Sequence, residues 1–304
     1  MAKSASILPA PKKRRKQENE GLLLGAHFSI AGSLQNALLT AQAYGCTALQ
    51  VFTKNASTWK ERRLSSQEID QFHVVRKGTD ARCICAHAAY LINLASPDQQ
   101  KYERSIMALE RELVRSSQLG ITDVIMHPGA HMGAGEEKGL HRIADGICRV
   151  FDRVPENPCR LLLETMAGQG SNVGYTFEHL AAIADMVGDD DRLGFCFDTC
   201  HVFAAGYDLR TKKAYTQTMK AFDIALGLER LHVMHLNDAK KGLGSQSDRH
   251  EHVGEGHIGI KAFRLIMNDP RFEAIPKILE TPKAKGPVDY DRLNLERLRS
   301  LIRP

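Results

Sequence analysis

Eight short apolar runs recur along the chain, and each is continuous rather than alternating: LLLGAHFS (22–29), ALQVF (48–52), CICAHA (83–88), DVIMHPG (123–129), RLLLET (160–165), LGFCFDT (193–199), LHVMHLN (231–237) and KILET (277–281). A strand that is apolar on both faces needs cover on both, which is the situation of a strand in a parallel sheet. Longer amphipathic stretches separate the runs and predict helices at 33–44, 98–118, 138–152, 176–187, 212–227 and 259–268, the first opening with Ser33 at its N-cap. Eight strand–helix units within about 280 residues predict an α/β fold, the closed (β/α)8 TIM barrel, whose usual size is roughly 250 residues. The competing architecture is a doubly wound open sheet. It normally has fewer strands, and no GxGxxG follows the first run.

No run of 18 apolar residues exists, so no membrane span is expected, and the N-terminus lacks the apolar segment of a secretory signal. The seven cysteines are an odd, scattered set lying mostly inside apolar runs, as expected of reduced, buried thiols in a cytoplasmic protein. The CxC spacing of Cys83 and Cys85 fits a buried strand better than a metal clip. The net charge of +5 is unevenly placed: residues 1–20 carry +4 and leave +1 for the body. Global charge therefore does not argue for a nucleic-acid partner, and any DNA-binding face on the body must be a local patch. Residues 1–20, with the run PKKRRKQENE, are expected to form a disordered basic tail ahead of one catalytic domain spanning 21–304. That run also has the form of a nuclear-localisation signal or a phosphate-binding arm.

Metal-ligating residue types fall at the ends of six consecutive runs: His87, His127, Glu164, Asp198, His235 and Glu280, spaced by 40, 37, 34, 37 and 45 residues. In a barrel these strand ends converge on the face where active sites sit. His201 follows Asp198 by about one helical turn. Asp248 and His250, two apart, point to one side if their segment is extended. Imidazole nitrogens and carboxylate oxygens suit zinc and related ions. Nine such groups exceed the needs of one tetrahedral ion, and point to two or three ions with a bridging carboxylate. Buried without metal, the four carboxylates would repel one another. Any one of these histidines alone is better read as a hydrogen-bonded core or surface residue, and any one acid as a helix cap. Six in succession are not. Of the other histidines, His73, His141 and His179 are expected to be solvated on helices. His131, His252 and His257 lie in loops on the presumed active face, and His27 is placed to line the pocket floor.

The segments GAHFSIAGSLQNA, FTKNASTW, HAAYLINLA, HPGAH, LLLETMAGQG, FDTCHVFAAGYD, HLNDAKKGLGSQSDRHEHVGEGHIG and ILETP resemble the endonuclease IV family, across about residues 22–302. The resemblance implies a TIM barrel of the xylose-isomerase-like type and an endonuclease that cuts DNA on the 5′ side of abasic sites. The expected ends are a 3′-hydroxyl and a 5′-deoxyribose phosphate, and the same site would remove 3′-blocking groups. Three zinc ions are implied, with manganese as an alternative at one position. His87, His127 and Glu164 would hold the first; Glu164, Asp198, His235 and Glu280 the second; His201, Asp248 and His250 the third. Glu164 and Glu280 would be the catalytic carboxylates, and a hydroxide between the first two ions the nucleophile. The implied partner is double-stranded DNA with abasic sites or 3′-blocked ends, bound by a monomer through Lys54, Asn55, Trp59, Tyr90 and Leu91. Tyr90 and Leu91 would enter the base stack as a wedge. One departure stands out: Ser57 occupies a place where the family commonly has arginine.

Two other functions fit the barrel or the ligands less well. A sugar isomerase or epimerase would need one or two ions and would leave the Asp248–His250 pair without a purpose. A structural zinc module would favour clustered cysteines.

Overall fold

The computed structural model describes residues 21–188, 190–283 and 288–303. The basic segment 1–20, expected to be a solvated tail, lies outside the described residues. In chain order the elements are β1 (Leu24–Ala26), α1 (Gln35–Ala43), β2 (Ala48–Phe52), α2 (Ser66–Lys77), β3 (Cys83–His87), α3 (Gln99–Gln118), β4 (Asp123–Met126), α4 (Glu136–Arg153), β5 (Arg160–Glu164), α5 (Phe177–Val187), β6 (Leu193–Asp198), α6 (Thr199–Ala205) and α7 (Lys212–Leu226). They continue with β7 (Leu231–His235), β8 (Asp238–Ala239), β9 (His250–Glu251), α8 (Ile260–Met267), β10 (Lys277–Leu279) and α9 (Tyr290–Ser300). Eight of the strands form one parallel sheet in the order β1-β10-β7-β6-β5-β4-β3-β2. The two edges meet at a bridge between His27 and Gln50, with the Phe28 N–H donating to the Gln50 carbonyl at 2.9 Å. The sheet is thus nearly closed, the TIM barrel expected, and the open doubly wound sheet is ruled out. Gly25 permits this approach of β1 to β2, because a Cβ there would lie 1.7 Å from the carbonyl oxygen of Ala48.

Period-two alternation divides each strand between two cores. Ala48, Cys85, Ile125, Leu162, Cys196, Val233 and Ile278 form a small cluster of their own inside the barrel. Their neighbours Leu49, Ile84, Val124, Leu161, Phe195, Met234 and Leu279 belong to the larger core between barrel and helices. Two residues beyond the inner cluster, the same parity gives Gln50, His87, His127, Glu164, Asp198, His235 and Glu280. The candidate centre is therefore the layer of barrel-facing side chains directly above the apolar plug. Cys83 packs against that inner cluster and Cys85 belongs to it, so neither is a metal clip. All seven cysteines are free thiols.

Helix boundaries follow local signals where a cap exists. Asp98, Thr176 and Thr211 cap α3, α5 and α7, each side chain accepting an N–H of the first turn. The expected Ser33 cap of α1 is not present. Leu34, buried at helical φ and ψ, occupies the N-cap position, so burial of its side chain sets the start. The expected list of helices lacked α2, α6 and α9. The first carries a full capping box, Ser65 with Glu68. No described helix is long and apolar enough to cross a membrane.

Candidate metal centre

The buried carboxylate of Glu164, at the end of β5, stands in the middle of the ring. Its Oε2 lies 3.2 Å from Nε2 of His87 and 3.2 Å from Nε2 of His127. Its Oε1 lies 3.0 Å from Nδ1 of His235 and 3.3 Å from Nδ1 of His201. The two oxygens thus face different groups of imidazoles, as a bridging ligand requires. Register brings the next set together: Asp198 of β6 pairs with His235 of β7, and His235 with Ile278 of β10, two residues before Glu280. Oε2 of Glu280 is 3.1 Å from His235 Nδ1, and Oδ2 of Asp198 is 3.8 Å from it.

The third set is assembled by local geometry beyond the strands. Asp198 is the N-cap of α6 and accepts the His201 N–H at 2.9 Å, which fixes His201 one turn away. The antiparallel pair of β8 and β9 sets Ala239 opposite His250 and so carries His250 back to the barrel mouth. The Asp238 carboxylate braces this excursion by accepting the N–H groups of Ala239, Gly254, Ile258 and Gly259. Asp248 Oδ1 then lies 3.2 Å from His201 Nε2 and 3.4 Å from His250 Nε2. Three donor sets result: His87, His127 and Glu164; Glu164, Asp198, His235 and Glu280; His201, Asp248 and His250. Asp198, Cys200 and His250 make a further close group. There the Cys200 thiol points at the Arg249 carbonyl at 3.6 Å, and burial pushes its pKa up, so it is a poor donor.

The donors fit a metal by their hydrogen bonding. In four of the five imidazoles one ring nitrogen is committed to an acceptor: His87 Nδ1 to the Ala88 carbonyl at 2.7 Å, His201 Nδ1 to the Thr165 carbonyl at 2.9 Å, His250 Nδ1 to the Glu280 carbonyl at 3.1 Å, and His235 Nε2 to Gln50 Oε1 at 2.8 Å. Such bonds fix the tautomer and leave the other nitrogen as a lone-pair donor. For His201 and His250 that other nitrogen, Nε2, is buried and has no hydrogen-bond partner, although both stand in ion-pair reach of Asp248. A buried imidazole nitrogen in that condition is costly unless it is ligated.

Electrostatics point the same way. Burial pushes the Glu164 carboxyl up, but the facing imidazoles of His235 and His127 outweigh it and hold the group well below the carboxylate range. Glu280 behaves likewise, with His235 the chief opposing group. Burial pulls His201 and His235 down, and the surrounding acids overturn this and raise both well above the ordinary imidazole value. The ring is therefore a compact set of opposite charges hidden from water, which protons or divalent cations must neutralise.

Three members of the ring were not among the expected ligands. Gln50 is fully buried, donates to Glu280 Oε1 at 2.6 Å and contacts His27 Nδ1 at 2.9 Å as well as His235. His27, expected on the pocket floor, lies 3.6 Å from Glu280. The parity of β2 would have found Gln50. Asn237 also belongs, donating to Asp198 at 2.6 Å and accepting the Glu280 N–H at 2.8 Å. The remaining histidines are peripheral. His252 lies flat on Tyr290 at 3.9 Å, and His131 Nδ1 accepts the Gly135 N–H at 3.1 Å. His179 is not solvated as expected: it packs on Tyr175 at 4.8 Å and stands 3.6 Å from Glu136.

The expected DNA-contacting residues lie on two adjacent loops. Tyr90 is 59% exposed, and its ring stands 5.4 Å from that of His87 and 5.8 Å from that of His127. Leu91 is half-buried. Asn55 and Ser57 are exposed, joined by a 2.9 Å bond from the Ser57 N–H to Asn55 Oδ1. Lys54 differs from expectation: it is 3% exposed, and Nζ donates to the Thr58 carbonyl at 2.6 Å. It closes its own loop from within, because a partner for the ammonium is available there. Trp59 is half-buried beneath Arg104, whose guanidinium lies 4.6 Å from the ring centre.

Comparison with known proteins agrees with this geometry. Residues 38–301 match the family model described as a xylose isomerase-like TIM barrel. A probable endonuclease 4 of Chloroflexus aggregans is 46% identical over 92% of this chain and 97% of its own length. One of Geobacter sulfurreducens is 46% identical over 92% and 94%. The crystal structure of endonuclease IV from Thermus thermophilus superposes with a TM-score of 0.80 at 36% identity, covering 91% of this chain and 98% of that one. A D-tagatose 3-epimerase-like protein shares the fold at 17% identity and a TM-score of 0.70.

Proposed function

The chain belongs to the endonuclease IV family of xylose isomerase-like TIM barrels, and from that premise we propose that it hydrolyses the phosphodiester bond on the 5′ side of abasic sites in duplex DNA. The expected products are a 3′-hydroxyl and a 5′-deoxyribose phosphate, and blocked 3′ ends are substrates of the same centre. The observation that carries this reading is the bridging position of Glu164 between donor sets in which His87 and His235 are each already oriented by a hydrogen bond at their other ring nitrogen.

In this reading each of the three donor sets would hold one zinc ion, with Glu164 contributing to the first two. When bound, the ions supply Lewis-acid stabilisation of the phosphoryl oxygens and acidify water toward neutrality. The chain's own groups do the rest. Glu164 and Glu280 are the catalytic carboxylates, 3.0 and 3.1 Å from His235 Nδ1. Gln50 holds His235 and Glu280 in register. The exposed ring of Tyr90, with Leu91 beside it, replaces stacking lost when the abasic nucleotide leaves the duplex. Asn55 and Trp59 present the neighbouring loop to DNA, and Lys54 keeps that loop folded. The protein acts as a monomer, as one catalytic unit from residue 21 onward, in the compartment that holds the genome.

The test is cleavage of a duplex carrying one abasic analogue by protein stripped of metal and reloaded with zinc. Recovery of 5′-side cutting with a 3′-hydroxyl end, at three ions per chain, supports the reading. Reloaded protein that binds the duplex but leaves it intact refutes it, and one or two ions per chain would direct attention to sugar isomerisation.

A further inference from the structure

We propose that Lys60, Arg63 and Arg104 form a second contact surface on this protein, a platform for the phosphodiester backbone of the duplex beside the metal centre. The proposal rests on the DNA-cutting reading above. It starts from a contrast among cations that share one loop. After β2 the chain runs WKERR through residues 59–63 before α2 begins. Arg62 is paired with Glu68, and Glu61 accepts from Arg115 at 2.6 Å. Lys60 and Arg63 are exposed, as is Arg104 on the second turn of α3, and among the described residues no carboxylate lies in ion-pair reach of the three.

Arg104 is held in a particular attitude. Its guanidinium lies 4.6 Å from the centre of the Trp59 ring, and Trp59 is packed against the main core. Stacking on an aromatic face orients the planar fork while leaving its N–H edge free, the arrangement suited to a phosphate. The loop itself is anchored from below. Arg115, 4% exposed, donates to Thr53 Oγ1 at 3.0 Å and to Glu61, and lies 2.9 Å from Glu112, which also accepts from Thr53. This buried network touches none of the candidate metal donors. Its effect is to tie residues 53–61 to α3, so that the three free cations stand on a fixed surface.

The platform is also in the right place. The loop begins directly after Phe52, whose ring is 5.3 Å from that of Tyr90 and 5.8 Å from that of His87. A duplex seated on the centre must run outward past one of its flanks. The body carries a net charge of only +1, so local unpaired cations of this kind add to the attraction that a metal-loaded centre would supply for a polyanion.

Each phosphate contact contributes about 0.9 to the slope of log affinity against log salt. Between about 50 and 200 mM salt, one lost contact therefore makes the fall in affinity about 3.5-fold smaller. The experiment measures binding of the zinc-loaded full chain to a duplex with one abasic analogue and a non-hydrolysable linkage at the target position. It uses Arg104→Gln, the double variant Lys60→Gln with Arg63→Gln, and Lys77→Gln at the far end of α2 as the control cation. The proposal expects slopes lower by about 0.9 and about 1.8 for the first two, and a control parallel to the unaltered protein. Unchanged slopes in the platform variants overturn it, as does a control that shifts equally, since the effect would then be general charge. If the unaltered protein itself does not bind the duplex, the nuclease reading falls and this one with it, a result distinct from a failure of the variants alone.

Discussion

Replacing Gln50 by methionine removes its three closest polar contacts while nearly preserving volume. The amide accepts from His235 Nε2 at 2.8 Å, donates to Glu280 Oε1 at 2.6 Å and meets His27 Nδ1 at 2.9 Å, all away from water. The bond to the charged Glu280 is worth about 1.5–3 kcal/mol and that to the imidazole about 0.5–1.5 kcal/mol, so their sum bounds the loss of orientation at about 2–4.5 kcal/mol. Loss of groups that orient metal ligands typically weakens metal binding by about 10–100-fold, or roughly 1.4–2.8 kcal/mol, inside that bound. Only the set that includes His235 and Glu280 depends on Gln50. The expected outcome of chelator competition on Gln50→Met is that one ion per chain is released at about 10–100-fold lower chelator concentration while the others leave as before. Denaturant unfolding of the metal-free variant confirms that the fold persists. If every ion in the variant is released at the same chelator concentration as in the unaltered protein, the orienting role argued for Gln50 is wrong.

Arg115→Ala strands the buried Glu112 and is expected to cost about 3–5 kcal/mol in urea unfolding, whereas a loss under 1 kcal/mol would mean that the network is not coupled to stability. Lys277 is 2% exposed, and burial lowers its pKa to about 8 from 10.5. Between those values the unfolded chain binds more protons, so stability should rise with pH, by about 3 kcal/mol in all from this group. Lys277→Met should flatten that rise in unfolding curves taken across the interval. Acids around His201 and His235 raise both imidazoles in the metal-free protein, so protons compete with metal and affinity must climb with pH. His235 and His201 serve different ions, so chelator competition near neutrality should show up to about 10-fold per pH unit for each of those two ions, and a flat profile would contradict the raised values.

Much of this could be read along the chain because side-chain direction in a strand is a local property. Continuous apolar runs gave eight strands, and every one is found, most of them shorter at the C-terminal end than the run. The capping box of Ser65 and Glu68 was legible too, although α2 was missing from the expected helices. Ser33 misled, since a serine near a helix start caps only if the first turn begins there, and burial of Leu34 began it elsewhere. The burial of Lys54 could not be read from the sequence, because the carbonyl of Thr58 that holds its ammonium inside is supplied by the fold of the loop. Gln50 passed unnoticed because an amide is not a metal-ligand type, although its parity on β2 matches the inner layer.

The sequence by itself determined which residues would stand at strand ends and in what order, because the period of two and the chain order do not depend on distant contacts. Only the tertiary structure decided which of them share a neighbour. Closure at His27 and Gln50 brings β2 across to Glu280 and His235, and the β8–β9 pair carries His250 back to His201. Those approaches join residues up to 230 positions apart, and their distances follow from how the sheet closes and the loops fold back, which no local pattern encodes.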